Sequence, residues 1–225
     1  MKTHQFLVAL AAMSGAMYPA TAPASDLQTG EAAGARAGRP LPTAPVPVTE
    51  ATAVVAFWRE AGPGLWFAKD SAFDRQFRER FLPLYEAAAR GELDGWLATP
   101  DGALALVLLL DQFPRNAFRG TARMYATDPS ARRVAVAALD AGHDRAVNGQ
   151  LQLFFYLPLG HSENLADQER SVALAERLGE PSLSHAKGHR DIIRRFGRFP
   201  HRNPILGRTM RLEEQQFLDG GGFAG

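Results

Sequence analysis

Two stretches of this 225-residue chain set arginine and asparagine behind a Phe-Pro pair: DQFPRNAFRGT, from Asp111 to Thr121, and RRFGRFPHRNPILGRT, from Arg194 to Thr209. Guanidinium groups beside a side-chain amide are suited to a carboxylate or phosphate, because the planar fork of arginine meets two anionic oxygens at once. In the first stretch Asp111 and Gln112 end an apolar segment, and Pro114 predicts a turn that presents Arg115 and Asn116. An acid at that end of a helix opposes the helix dipole unless Arg115 or Arg119 compensates it, so a structural Asp–Arg lock and a ligand role are both open. In the second stretch Arg198, Arg202 and Asn203 repeat the pattern, and His201 adds a group that titrates near neutrality. Seven arginines and a single acid lie between Arg190 and Arg211, which reads as an anion pocket or as cover for acidic helix ends.

The remaining histidines offer proton chemistry. In PLGHSENLADQE, Ser162 or Asn164 is expected to cap a helix whose positive end suits Glu163 and Asp167. His161 then stands just outside a helix N-terminus, where a lowered pKa would suit an acid/base group with Glu163 as its orienting partner. A plain capping cluster accounts for the same residues. His185 and His189 share a helix face at a spacing that zinc sites use, but His189 also shares a face with Ile193 and Phe196, as a core histidine does. His161, Glu163 and His201 could join a metal site, yet no specific ligand spacing such as His-Glu-x-x-His is present, and no metal or cofactor is assigned.

The elements that must position these residues read as helices. TEATAVVAFWRE offers Thr49 as a cap and an apolar stripe through Val54, Val55 and Trp58. Asp70 caps a segment in which Phe73, Phe77, Phe81 and Leu84 recur at three- and four-residue steps, with a kink or break predicted near Leu82 because of Pro83. Thr99 and Pro100 open a segment that is apolar nearly all round from Ala103 to Leu110, the expected central buried helix. Asp128 and Pro129 repeat the cap-then-Pro signature. NGQLQLFFYLP reads as a short helix stopped by Pro158, with a buried strand still open. SENLADQERSVALAERLGE, SLSHAKGHRDIIRRFGRF and RLEEQQFLDGGG are three more helices. No long alternating run and no hairpin signal is present, so the expected fold is all-α, a compact antiparallel helix bundle or a short helical solenoid.

Composition bounds the rest. Hydrophobic residues make up 46% of the chain, enough for one core, and a single folded unit over 49–225 is expected. Lys+Arg exceed Asp+Glu by one (25 against 24), which gives no global field for a nucleic-acid partner. The absence of cysteine excludes disulfides and thiolate chemistry. At the start, MKTHQ, the apolar FLVALAAMSGAM and the small-residue tail with Ala22 and Ala24 predict a secretory signal over 1–25. Export to the periplasm or medium is therefore expected, and cytoplasmic placement if the start site is misassigned. The apolar run falls short of the ~20 residues that span a bilayer, so no permanent membrane span is expected. Residues 26–48, rich in Ala, Gly and Pro, read as a disordered tether.

Four ordered stretches carry a resemblance: FWREAGPGLWFAKDSAFDRQFRERF, GELDGWLATPDGALALVLLLDQFPRNAFRGTARMYATDPSA, FFYLPLGHSENLADQERSVALAE and GHRDIIRRFGRFPHRNPILGRT. Together, from about Val54 to Leu218, they resemble the bacterial domain-of-unknown-function 924 family. The resemblance implies a tetratricopeptide-like helical fold and no activity. It highlights Asp111, Gln112, Arg115, Asn116, His161, Glu163, His189, Arg198, His201, Arg202 and Asn203, and Gly160 stands where a larger or acidic residue is expected. Joined to the residue reading, this gives His161, Glu163 and His201 as catalytic candidates and the other eight highlighted residues as ligand contacts. The two Phe-Pro loops are expected to converge on one polar cleft for an anionic small molecule or peptide terminus. A protein-interaction module without catalysis and a metal-dependent hydrolase are the alternatives.

Overall fold

The computed structural model describes residues 49–147 and 149–225. The expected signal and tether, residues 1–48, lie outside the described residues. All regular structure among the described residues is helical. In chain order come α1 (Glu50–Ala61), α2 (Pro63–Trp66), α3 (Ser71–Ala89), α4 (Pro100–Val107), α5 (Phe113–Ala117) and α6 (Asp128–Asp140). They are followed by α7 (His143–Ala146), α8 (Leu153–Gly160), α9 (Leu165–Ala175), α10 (Ser182–Phe196) and α11 (Leu212–Asp219). The predicted caps form: Thr49, Asp70, Thr99 and Asn164 each accept a backbone N–H from the first turn of α1, α3, α4 and α9.

The core is built round α4. Every side chain from Ala103 to Leu110 is withdrawn from water, each buried leucine contributing about 1.5–3 kcal/mol, and α1, α6 and α8 pack against this helix. Phe57, Trp58, Phe73, Phe77 and Phe154 form one continuous aromatic layer beside it, with ring centroids 5.3–6.0 Å apart. From α8 the chain continues by neighbour packing, α8 on α9 and α9 on α10. Of the two expected arrangements, the bundle describes the α1–α8 half, because α4 is shared by three helices rather than stacked in line.

Three proline expectations are corrected. Pro83 does not break α3: it lies on the exposed face, as does Glu79, whose carbonyl it leaves without a donor and open to water. Pro158 does not stop α8, which runs on to Gly160; the His161 N–H then bonds the Leu157 carbonyl at 2.8 Å. Pro114 does not turn the chain. Residues Leu108–Gln112 form a π-helical turn, with the Phe113 N–H on the Leu108 carbonyl, and α5 continues directly from it. The carbonyl that Pro114 deprives of a donor is that of Leu110, and the Thr127 hydroxyl donates to it at 2.6 Å. Thr127, and not Asp128, therefore occupies the position before α6, and Asp128 is the first helical residue. The π turn holds Asp111 and Gln112 inside the bundle instead of leaving them at a helix end.

Candidate functional site

Asp111, carried inward by the π turn, meets His161 at the C-terminal end of α8. His161 Nδ1 lies 2.8 Å from Asp111 Oδ1, while Gln112 Nε2 donates to Oδ2 at 2.6 Å and Arg115 Nη1 approaches Oδ1 at 3.2 Å. Burial opposes the charge on Asp111, but Arg115, then His161, and the Gln112 hydrogen bond hold its carboxyl well below the usual carboxylate range. The carboxylate fixes the tautomer: the proton sits on Nδ1 and donates to Asp111, which leaves Nε2 with a lone pair. Burial, and then Arg115, push the His161 pKa down against the pull of Asp111, so the ring is neutral near pH 7.

The expectation that His161 sits outside a helix N-terminus with Glu163 as its partner is corrected here. The cap of α9 is Asn164, His161 closes α8, and Glu163 turns the other way, accepting from the Phe199 N–H and from Arg208 Nη1, each at 2.9 Å. Glu163 thus fixes the second Phe-Pro loop rather than the imidazole.

The two Phe-Pro loops do converge, through Asp128, whose place before Pro129 predicts only a cap. Arg115 donates to both oxygens of Asp128 at 2.8 and 3.1 Å, and Arg202 Nη1 donates to Oδ2 at 3.1 Å. Arg202 Nη2 also reaches the His161 carbonyl at 3.0 Å. Its guanidinium lies between the Tyr125 and Phe199 rings, 4.5 and 4.6 Å from their centroids, an arrangement that stabilises a desolvated cation. Two cations thus face two carboxylates, Asp111 and Asp128.

His189 and His201 complete the group. The His189 ring centroid is 6.4 Å from that of His161 and 5.4 Å from Phe199; His201 is 5.6 Å from Phe199. Burial first, then neighbouring histidines and Arg202, push His189 down to about 3; burial, then Arg202, do the same to His201, also to about 3. Several buried atoms here lack a hydrogen-bond partner among the described residues, among them Arg202 Nε and His201 Nδ1.

Gly160 has a packing reason that a larger or acidic residue would violate. A Cβ there would meet Ser171 Oγ at 3.2 Å and His189 Nδ1 at 3.8 Å, so the glycine lets α9 and α10 close on the end of α8.

The other expected residues are placed apart from this centre. Asn116 donates to Asp74 at 2.7 Å, alongside Arg119 at 2.6 Å, tying α5 to the first turn of α3. Arg198 pairs with Glu214 at 2.6 Å, and Asn203 donates to the same carboxylate at 3.1 Å, tying the second loop to α11. Asp128, Tyr125 and Gln168 were not singled out. Gln168 Nε2 binds the carbonyls of Gly160 and Ser162, both at 2.7 Å, and so holds the chain on either side of His161. The signal for Asp128 was present: two buried arginine loops require a shared carboxylate, and Asp128 follows the first loop closely. Among the described residues no three His, Asp or Glu side chains take a metal-holding arrangement, and no helix is long and apolar enough to cross a membrane.

A model of the family described as bacterial protein of unknown function (DUF924) matches residues 54–222. A solved structure of a protein of unknown function from Agrobacterium tumefaciens is similar at 57% identity and a TM-score of 0.75, covering 76% of this chain and 97% of that one. Among curated proteins none matches the sequence.

Proposed function

The chain belongs to the bacterial DUF924 family, and from that premise we propose that the Asp111–His161 pair and the Arg115–Asp128–Arg202 bridge form a binding site for a small anionic molecule or a peptide terminus. The observation that carries this reading is the buried Nε–H of Arg202, which has no acceptor among the described residues, with His201 Nδ1 unpartnered in the same cluster. A buried donor left unpaired costs about 1–3 kcal/mol, which an anion oxygen in contact with it recovers. The cluster's own charges already balance, so an incoming anion adds negative charge that the neutral histidines can answer by taking up a proton.

His161 is the group fitted to move that proton. Its Nδ1–H is held by an ionised Asp111, its Nε2 carries a free lone pair, and the imidazolium formed on protonation is stabilised by the same carboxylate. Arg202, with Arg115 behind Asp128, would stabilise negative charge on the bound molecule. His201 and His189 act as further donors, and Glu163 and Arg208 keep the second loop in place.

A thermal-shift series with propionate and with inorganic phosphate tests this, using wild type, Arg202→Lys and His201→Ala. Each variant is compared with its own ligand-free midpoint, so lost stability is not mistaken for lost binding. The expected result is a ligand-dependent rise in wild type that both variants reduce. A rise of equal size in all three proteins would place the anion elsewhere. Binding only to protein partners, unaffected by these changes, would favour the helical interaction module instead.

A further inference from the structure

The space beside His189 and His201 is filled by the chain itself. Phe223 sets its ring 4.7 Å from the His189 centroid and 5.0 Å from His201, the latter edge-on at 87°, with Phe199 at 6.5 Å. It does so while remaining 41% exposed. The segment that delivers it is lightly held. Gly221 and Gly222 donate backbone bonds to Leu218 and Phe217, but no such bond among the described residues involves 223–225. Beyond Phe223, Gly225 lies against the His201 ring, where a Cβ would fall 3.1 Å from Cδ2.

The approach to Phe223 is a run of three glycines. Gly221 takes φ +81°, and a Cβ on Gly222 would sit 2.5 Å from Phe217 Cζ, so this path admits no side chain at either position without strain. A glycine run on one side and ring contacts alone on the other describe an aromatic group that can leave and return. Its ring lies among three aromatic side chains, and one of them, Phe199, also carries the guanidinium of Arg202, 4.6 Å from its centroid. A large apolar group docked beside a cation is the shape of an aryl carboxylate.

We propose that His189, His201 and Phe199 form an aromatic subsite occupied in this structure by Phe223, and that the ligand is a carboxylate carrying an aryl group that displaces Phe223 while its anionic end meets Arg202. This rests on the anion-site reading above and names the ligand class for it.

The probes are 3-phenylpropionate and propionate, matched in carboxylate and differing by the phenyl ring, titrated calorimetrically against wild type, Phe223→Ala and Phe223→Trp in the full chain. Removing the internal competitor should tighten 3-phenylpropionate by about tenfold in Phe223→Ala, the scale of a partly buried phenyl ring, and leave propionate unchanged. Phe223→Trp, which keeps the plug, should leave the aryl-to-alkyl preference at or below that of wild type. If propionate binds through Arg202 but Phe223→Ala does not raise the preference for the aryl acid, the aromatic subsite is overturned and the anion site stands. If neither acid binds any of the three proteins, the anion site fails and the subsite with it.

Discussion

Three half-buried histidines, joined by the more exposed His185, shape how this protein responds to acid. His189 and His201, each pushed down to about 3, and His161 and His185, also pushed down, all resist protonation because burial removes the water that would stabilise the charge. At pH 7 folded and unfolded chains both hold these rings neutral, and nothing is lost. As the pH falls below the ordinary value of 6.5, the unfolded chain takes up protons that the folded one refuses, so stability declines until about pH 3, where His189 and His201 accept theirs. Asp111 works in a lower window, since its depressed pKa favours the folded state above the ordinary carboxylate value and loses that effect only below it. Urea denaturation between pH 7 and about 5.5 therefore reads chiefly the histidines, above the range in which the depressed Glu163 and Glu214 begin to contribute. The slope should approach about 1.4 kcal/mol per pH unit for each, and be distinctly shallower in a His189→Gln, His201→Gln double variant. A flat profile over this range would show that both rings titrate normally in the folded protein. The sequence made His189 and His201 visible as candidates, but their neutrality follows from packing against Phe199 and Phe223, which no local spacing encodes.

At the scale of elements, the α4–π–α5 run shows what local rules caught and what they missed. Caps and apolar periodicity located α1, α3, α4 and α9, because a cap bond and a buried stripe are settled within a few residues. The interruptions expected at Pro83, Pro114 and Pro158 do not form for one reason: the cost of a proline depends on what becomes of a carbonyl four residues earlier. For Pro114 the answer is Thr127, 17 residues beyond Leu110 in sequence and 2.6 Å away in space. Replacing Thr127 by Val keeps shape and removes the donor, so the Leu110 carbonyl is left buried and bare. A loss of about 1–3 kcal/mol is expected by chemical denaturation, with no compensating change in the denaturant slope. A change under a few tenths of a kcal/mol would mean that the π turn does not rely on this hydroxyl. The same turn sets the inward aim of Asp111, so the variant should also weaken anion binding.

Across the whole molecule, residues from three distant parts of the chain meet at one carboxylate and one imidazole. Arg115 lies in α5, Asp128 opens α6, and Arg202 comes from the loop before α11; His161 closes α8 and reaches back to Asp111. The likeness of the two Phe-Pro loops was legible, and so was the idea that they share a centre. Their division of labour was not. Arg115 and Arg202 face the centre, whereas Asn116 and Asn203 serve Asp74 and Glu214 and hold helices together. Only tertiary placement separates those roles, because the same residue types satisfy both. On the proposed reading, His161 is a neutral, Asp111-held imidazole whose Nε2 accepts a proton when an anion binds beside Arg202. Nitrogen-15 NMR of the histidine rings at pH 6, with and without propionate, tests it directly. In the free protein His161 should be neutral with its proton on Nδ1, and it should move toward the doubly protonated form as propionate saturates. A free-state proton on Nε2, or a His161 ring unchanged at saturation, would contradict it.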